Sequence, residues 1–350
     1  LIVQPIRSIA RVINILSRGM ASLKRYNQIM AVPPMVVESV EDRHPQPLLG
    51  ELEVRDLSFR YPYAPSLSLQ NISFHLEPGK TLGILGHTGS GKSTFVQHLN
   101  ALLRVPTSLK KYRKKRKAPP SDTVLQVGEF DLTDKKTDFN ALRSKVGMVM
   151  QYPEYQLFAE TVFEDVAFGY KNFAPEKPTK EQVESAVRDA LTIVGLNYDE
   201  VKEMSPFDLS GGQKRRVAIA GVIVTKPEIL VLDEPAAGLD PLGKQEVMEL
   251  LHRLHASWCK TIIIVSHDMD EIAENCTRVA VFSDGEVKYV LPPKELFLHA
   301  EELLSLGLDV PLTAKICLAL KEYGIRLECD FTTEDFLKKA LALQGKGGSV

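Results

Sequence analysis

Eight residues, Gly86-His87-Thr88-Gly89-Ser90-Gly91-Lys92-Ser93, follow the pattern G-x-x-x-x-G-K-[ST]. Glycines at these positions let successive backbone N–H groups close around phosphate oxygens. A helix opening at the end of the loop adds partial positive charge. In such a loop Lys92 reaches the terminal phosphates, and the Ser93 hydroxyl, with Thr94 behind it, faces a Mg²⁺ ion. The pattern stands where that chemistry needs it, after a β-type run at 81–85 and before an apolar stretch of helical spacing at 95–103. By itself this loop does not separate GTPases, kinases, helicases and transport ATPases.

A second set of groups narrows the chemistry. Four apolar residues at 229–232 lead into Asp233 and Glu234. A strand buried on both faces would deliver two carboxylates at its C-terminal end, where open α/β sheets bind their ligands. Asp233 is placed to hold Mg²⁺ through a water, and Glu234 to polarise an attacking water as general base. Leu209-Ser210-Gly211-Gly212-Gln213 then opens a helical stretch at 214–224. Ser210, Gly211, Gly212 and Gln213 form another N-terminus shaped for phosphate. One chain thus carries two half-sites for a phosphate chain, and two chains facing head to tail would complete each other.

Residues 209–213 resemble the signature of the ATP-binding cassette (ABC) ATPases, and the rest of that family's motif set is present in order over about residues 51–293. The resemblance implies that Tyr61 stacks on adenine and that Gln151 is the loop glutamine sensing Mg²⁺ and water. It implies that Asp240 lies in the loop crossing the dimer interface and that His267 is the switch histidine contacting the γ-phosphate. The stretch Tyr152-Pro153-Glu154-Tyr155-Gln156-Leu157-Phe158, with Pro235-Ala236-Ala237-Gly238-Leu239-Asp240-Pro241, is similar to the A-prime type of energy-coupling factor (ECF) transporter ATPase.

The fold this resemblance implies is an α/β P-loop NTPase of the ABC nucleotide-binding type. It would have a RecA-like core, an antiparallel β subdomain, an α-helical signature subdomain at about 153–225 and a small helical C-terminal domain. The implied division is an N-terminal basic extension and linker at 1–48, the ATPase at 49–298 and the C-terminal domain at 299–350. The implied function is ATP binding and hydrolysis, with ATP and Mg²⁺, energising import of vitamins or transition-metal ions. The implied partners are a second ECF-type ATPase in a heterodimer, a transmembrane T subunit and, indirectly, a substrate-binding S subunit, with no nucleic acid. The chain would sit peripherally on the cytoplasmic face of the cell membrane. Competing readings are a conventional ABC importer or exporter subunit and a soluble ABC ATPase of DNA repair or translation. One cassette and the lack of coiled-coil heptads weigh against the last. The cargo is not legible in an ATPase that never touches it.

These groups need elements to position them. Short β-rich runs are expected at 52–54, 57–59, 72–75, 81–85, 146–150, 229–232 and 261–265, the last two without alternation, as for strands buried on both faces. A hairpin is expected at 279–290 around Asp284-Gly285, and a helix at 180–194 from the spacing of Val183, Val187, Leu191 and Val194. Thr332 to Asp335 reads as a helix start.

The chain has 350 residues, 44% hydrophobic and 25% charged, with a net charge of -2. This is globular composition, and it argues against a surface that is wholly a nucleic-acid footprint. No apolar run approaches the ~18–20 residues of a membrane span. The cysteines at 259, 276, 317 and 329 form no close pair in sequence and are expected to be buried, reduced thiols. Up to Val37 there are five basic residues and no acid. Ile2, Ile6, Ile9, Ile13 and Leu16 share one helical face opposite Arg7, Arg11 and Arg18, a pattern that suits an anionic membrane surface, a transit peptide or an extension without a role. Leu1 is not a methionine, and Met20, Met30 and Met35 are alternative starts. Residues 110–117 hold seven basic side chains in eight, a solvated loop whose alternatives are lipid or nucleic-acid contact.

Overall fold

The computed structural model describes residues 19, 20, 22–26, 50–62, 64–105, 123–134, 136–174 and 177–346. The basic run at 110–117 and the amphipathic pattern at 2–16 lie outside them. The chain divides after residue 39 into two units. Of the first, residues 19, 20 and 22–26 are helical and exposed. Both sheets and the helices from Lys92 onward belong to the second.

Among the described residues ten strands lie in two sheets. Strands β1 (Leu52–Phe59), β2 (Leu69–Leu76), β4 (Val124–Val127) and β5 (Phe130–Asp131) form an antiparallel sheet in the order β2-β1-β4-β5. Strands β3 (Thr81–Gly86), β6 (Val146–Val149), β7 (Ile229–Asp233), β8 (Thr261–Val265), β9 (Arg278–Ser283) and β10 (Glu286–Leu291) form the second, in the order β10-β9-β3-β8-β7-β6. Its strands are parallel except at the β9–β10 hairpin, which turns at Asp284-Gly285 as the sequence suggests.

The runs without alternation are explained by burial on both faces. In β7, Ile229 and Val231 join the apolar cluster beneath the antiparallel sheet, while Leu230 and Leu232 join the cluster under the helices. In β8, Ile263 and Val265 face the first cluster and Ile262 and Ile264 the second. A polar residue at any of these positions would be buried without a donor or acceptor. Gly83 in β3 has a packing reason: a Cβ there would lie 2.9 Å from Ile272 Cδ1.

Among the described residues of this unit the helices longer than one turn are α1 (Lys92–Leu99), α2 (Phe139–Lys145), α3 (Val162–Phe173), α4 (Lys180–Ile193), α5 (Gly211–Ile223), α6 (Pro241–Ser257), α7 (Met269–Asn275), α8 (Ala300–Ser305), α9 (Leu312–Glu322) and α10 (Thr333–Lys346). Helix α4 is opened by a capping box between Thr179 and Gln182, which satisfies two otherwise orphaned amides. Helices α3 and α5 cross closely at two glycines, since a Cβ on Gly169 would lie 2.6 Å from Gly221 O.

Three expectations need correction. The runs at 52–54 and 57–59 are one strand, carried across Asp56 in a left-handed conformation (φ 49°). The stretch at 95–103 is not all helix: α1 ends at Leu99, and Ala101 turns left-handed at φ 57°. The cysteines are not all buried: Cys317 is half-buried, its Sγ 3.6 Å from that of buried Cys329, and all four are free thiols.

Helix α1 also carries a buried titratable group. His98 is fully buried, its Nδ1 donates to Thr94 O at 2.7 Å, and its ring meets Phe59 edge-on at 4.6 Å. Burial pushes its pKa down to about 4 from 6.5. Between those values the unfolded chain binds a proton that the native chain refuses, so stability falls as pH drops through that window. Denaturation midpoints at pH 7 and pH 5 should show a larger loss for the native sequence than for His98→Leu. Equal losses would remove His98 as the cause.

Candidate functional site

Four parallel neighbours, β3, β8, β7 and β6, end at one edge of the sheet. Their register pairs Ile84 and Asp233 with Val265, and Val149 and Ile264 with Leu232. The residues beyond their C-terminal ends therefore emerge together: the loop from Gly86, Gln151, Asp233-Glu234 and His267. Convergence of the sequence-predicted groups is a consequence of strand order.

The loop is shaped by glycines that accept no substitute. A Cβ on Gly86 would lie 2.5 Å from Phe282 O. Gly91 caps α1 at φ 102°, and a Cβ there would lie 2.7 Å from Ser68 O. Lys92 is buried and donates through Nζ to Gly86 O at 2.5 Å and His87 O at 3.1 Å. Burial lowers its pKa, while the charges of Glu234 and Asp233 oppose that shift. His87 Nδ1 meets Thr88 O at 2.8 Å, and Thr88 and Gly89 are exposed at the tip. Ser90 Oγ is buried without a partner.

Asp233 is raised in pKa by burial, against the opposing effects of the Ser93 hydroxyl bonded to it and of Lys92. Ser93 and Asp233 are hard oxygen donors side by side, a set that fits Mg²⁺. Glu234 is raised by burial and then by the Asp233 charge. It holds a left-handed conformation at φ 54°, with its amide donating to Val265 O at 2.9 Å. His267 Nε2 lies 3.2 Å from Glu234 Oε1, but that oxygen is buried off the axis of any donor, so the pair is close without being hydrogen-bonded. Burial, and then Lys92, lower the pKa of His267.

Tyr61 is 37% exposed, packs edge-on to Phe59 at 5.0 Å, and its hydroxyl lies 3.3 Å from Thr94 Oγ1. An aromatic face is thus fixed beside the loop. Gln151 is exposed, two residues past the end of β6. Asp240 is exposed and caps α6, accepting from Gly243 N at 2.7 Å.

The residues Ser210 to Gln213 are not brought to this place. Ser210 and Gln213 close a capping box on each other, with Gln213 N donating to Ser210 Oγ at 3.3 Å and Ser210 N to Gln213 Oε1 at 3.0 Å. Ser210, Gly211 and Gly212 are exposed, and among the described residues no hydrogen bond or ion pair joins them to residues 86–94. Because Ser210 Oγ accepts within the chain, its own proton stays available to a ligand brought from outside.

One support has no clear signal in the sequence. The hairpin turn braces the loop: Gly285 N donates to Ser90 O at 3.1 Å, and Asp284 Oδ1 lies 3.8 Å from His87 Nε2. The only local sign is the Asp-Gly turn itself, which reads as a strand connection.

Comparison with known proteins gives the family. The ABC transporter family is matched over residues 69–237. The chain is 41% identical over 292 residues to the energy-coupling factor transporter ATP-binding protein EcfA2 of Caldanaerobacter subterraneus subsp. tengcongensis, across 82% of this chain and 95% of that one. It is 43% identical over 284 residues to EcfA2 of Symbiobacterium thermophilum, across 81% and 92%. The solved structure of cbiO1 from Clostridium perfringens, part of the ABC transporter complex cbiONQ, aligns with a TM-score of 0.60 at 33% identity over 77% of this chain and 99% of that one. A dimeric ATP-binding cassette in a post-hydrolysis state bound to ADP and Pi aligns with a TM-score of 0.58 at 24% identity, a likeness of fold alone.

Proposed function

Since this chain belongs to the ABC ATPases and, within them, to the ATP-binding subunits of energy-coupling factor transporters, we propose that its sheet-edge site is where ATP is bound and split to drive a membrane partner. The chain is an ATP hydrolase of the ABC type, working with Mg²⁺. The observation that carries the site assignment is the meeting of Lys92, Ser93, Asp233, Glu234 and His267 at the ends of adjacent parallel strands.

In this reading the loop from Gly86 to Thr94 cradles the phosphates, Lys92 turns its ammonium from backbone carbonyls to phosphate oxygens, and Tyr61 stacks on the base. Ser93, Asp233 and Gln151 would hold Mg²⁺, which supplies positive charge to the phosphate chain. Glu234 takes the proton of the attacking water, its basicity raised by burial. His267 stands beside it to meet the terminal phosphate. The exposed Ser210, Gly211, Gly212 and Asp240, with Gln213, complete the site of a second ATPase subunit, and that subunit completes this one.

The relatives' names support association with a transporter, and the cbiONQ complex supports a membrane component and a paired ATPase. The finer proposal is a heterodimer with a sister ECF-type ATPase, gripped by a T subunit that reorients a vitamin- or metal-carrying S subunit at the cytoplasmic face. Among the described residues no helix is long and apolar enough to cross a membrane, and the contact we propose is a peripheral one. We divide the chain at about residues 48 and 298, with a small helical domain last. Affinity purification of the tagged chain from detergent-solubilised native membranes tests this. A second ATPase and a multi-spanning protein should co-purify. Ribosomes, repair proteins or the chain alone would remove it from transport.

A further inference from the structure

Arg215 lies on α5, five residues beyond Ser210, and is only 5% exposed. A guanidinium keeps its charge when buried, so such a position needs partners. Its partners are two backbone carbonyls of the turn that carries the general base: Nη1 donates to Ala237 O at 2.8 Å and Nη2 to Glu234 O at 3.3 Å. The turn is a constrained one. Glu234 is left-handed at φ 54°, and its carbonyl also accepts from Ala237 N at 3.1 Å. A non-glycine residue holds that conformation only where its surroundings enforce it. Arg215 supplies a planar two-pronged clamp that spans the turn, which a lysine has no geometry to copy.

The third neighbour is the segment after Gln151. The negative charge of Glu154 opposes the loss of basicity that burial imposes on Arg215. Glu154 Oε2 and Arg215 Nε are both buried without a hydrogen-bond partner. Arg215 therefore stands where the signature helix, the segment from Tyr152 to Glu154 and the Glu234 turn meet.

We propose that Arg215 is a positioning residue for hydrolysis, clamping the turn from Glu234 to Ala237 to the signature helix so that movement of that helix sets the aim of the Glu234 carboxylate. This rests on the reading of Glu234 as the base. The test is a double-mutant cycle on the complex recovered with the tagged full-length chain, using single-turnover hydrolysis of MgATP and nucleotide titration. Arg215→Met should lower the hydrolysis rate at least about tenfold while ATP affinity changes less than about threefold. In the Glu234→Gln background the same substitution should lower the residual rate less than about twofold, because the carboxylate it aims is gone. Arg215→Lys keeps the charge facing Glu154, guards against a folding failure, and should fall between Arg215→Met and the native rate. A loss of equal size in both backgrounds, or no loss at all, overturns the proposal. Native turnover by Glu234→Gln alone overturns the base assignment, and this inference with it.

Discussion

Glu234→Gln should lower hydrolysis by about 10²–10⁴-fold, the usual worth of a positioned general base, while ATP still binds. The amide is the same size as the carboxylate, so it keeps the place beside His267 and the acceptor for the His267 amide. It cannot take the proton of the attacking water. It also removes one of two adjacent buried negative charges, Asp233 being the other, which would otherwise repel the phosphate chain. The variant should therefore accumulate as an ATP-bound closed dimer. Single-turnover hydrolysis and size-exclusion chromatography with MgATP measure the two effects. Native turnover in this variant would show that the proton goes elsewhere.

Lys92→Ala is expected to have a smaller effect, and to have it on binding. The ammonium is buried among the loop carbonyls of Gly86 and His87 and within the influence of Asp233 and Glu234. Hydrogen bonds to charged groups contribute about 1.5–3 kcal/mol, so ATP affinity should fall by about 10–100-fold. Without the cation the two carboxylates also face the phosphates unopposed. Titration of MgATP into the variant reads this directly. An unchanged dissociation constant would sink the phosphate role, and a fall in rate alone would move Lys92 from binding to turnover.

The contrast between the two substitutions comes from where each residue stands. Lys92 is reached at the start of a helix and is covered before any ligand arrives. Glu234 stands one residue past the end of β7, at the edge of the sheet. His267, 54% exposed in its side chain against 13% for Glu234, is the outer member of the pair.

Much of this site is local in origin, which is why it is legible in the sequence. A phosphate loop needs glycines at fixed offsets because the chain must approach itself within contact distance, as Gly86 and Gly91 do. The strands β7 and β8 are legible because burial on both faces demands an unbroken apolar run. The helix start read at Thr332 to Asp335 is local too: a helix opens at Thr333, with Thr332 Oγ1 accepting from Asp335 N at 3.3 Å. The strands β4 and β5 and the helices α2, α3 and α6 carry no comparable signature. Their sequences bury one face against partners distant in the chain, and single-sided burial leaves a weaker pattern.

What the sequence by itself determined was the set of groups and their chemistry: Gly86 to Thr94, Asp233, Glu234 and the cap at Ser210 are each dictated by backbone demands within a few residues. Only the tertiary structure decided which of them meet. The parallel order β3-β8-β7-β6 gathers the first three at one edge, whereas Ser210 to Gln213 stays apart on its own helix. It also decided that Arg215 grips the Glu234 turn and that Cys317 and Cys329 are neighbours. The physical reason is that strand pairing and helix crossing are set by the burial of whole faces, and no short stretch of chain carries that information alone.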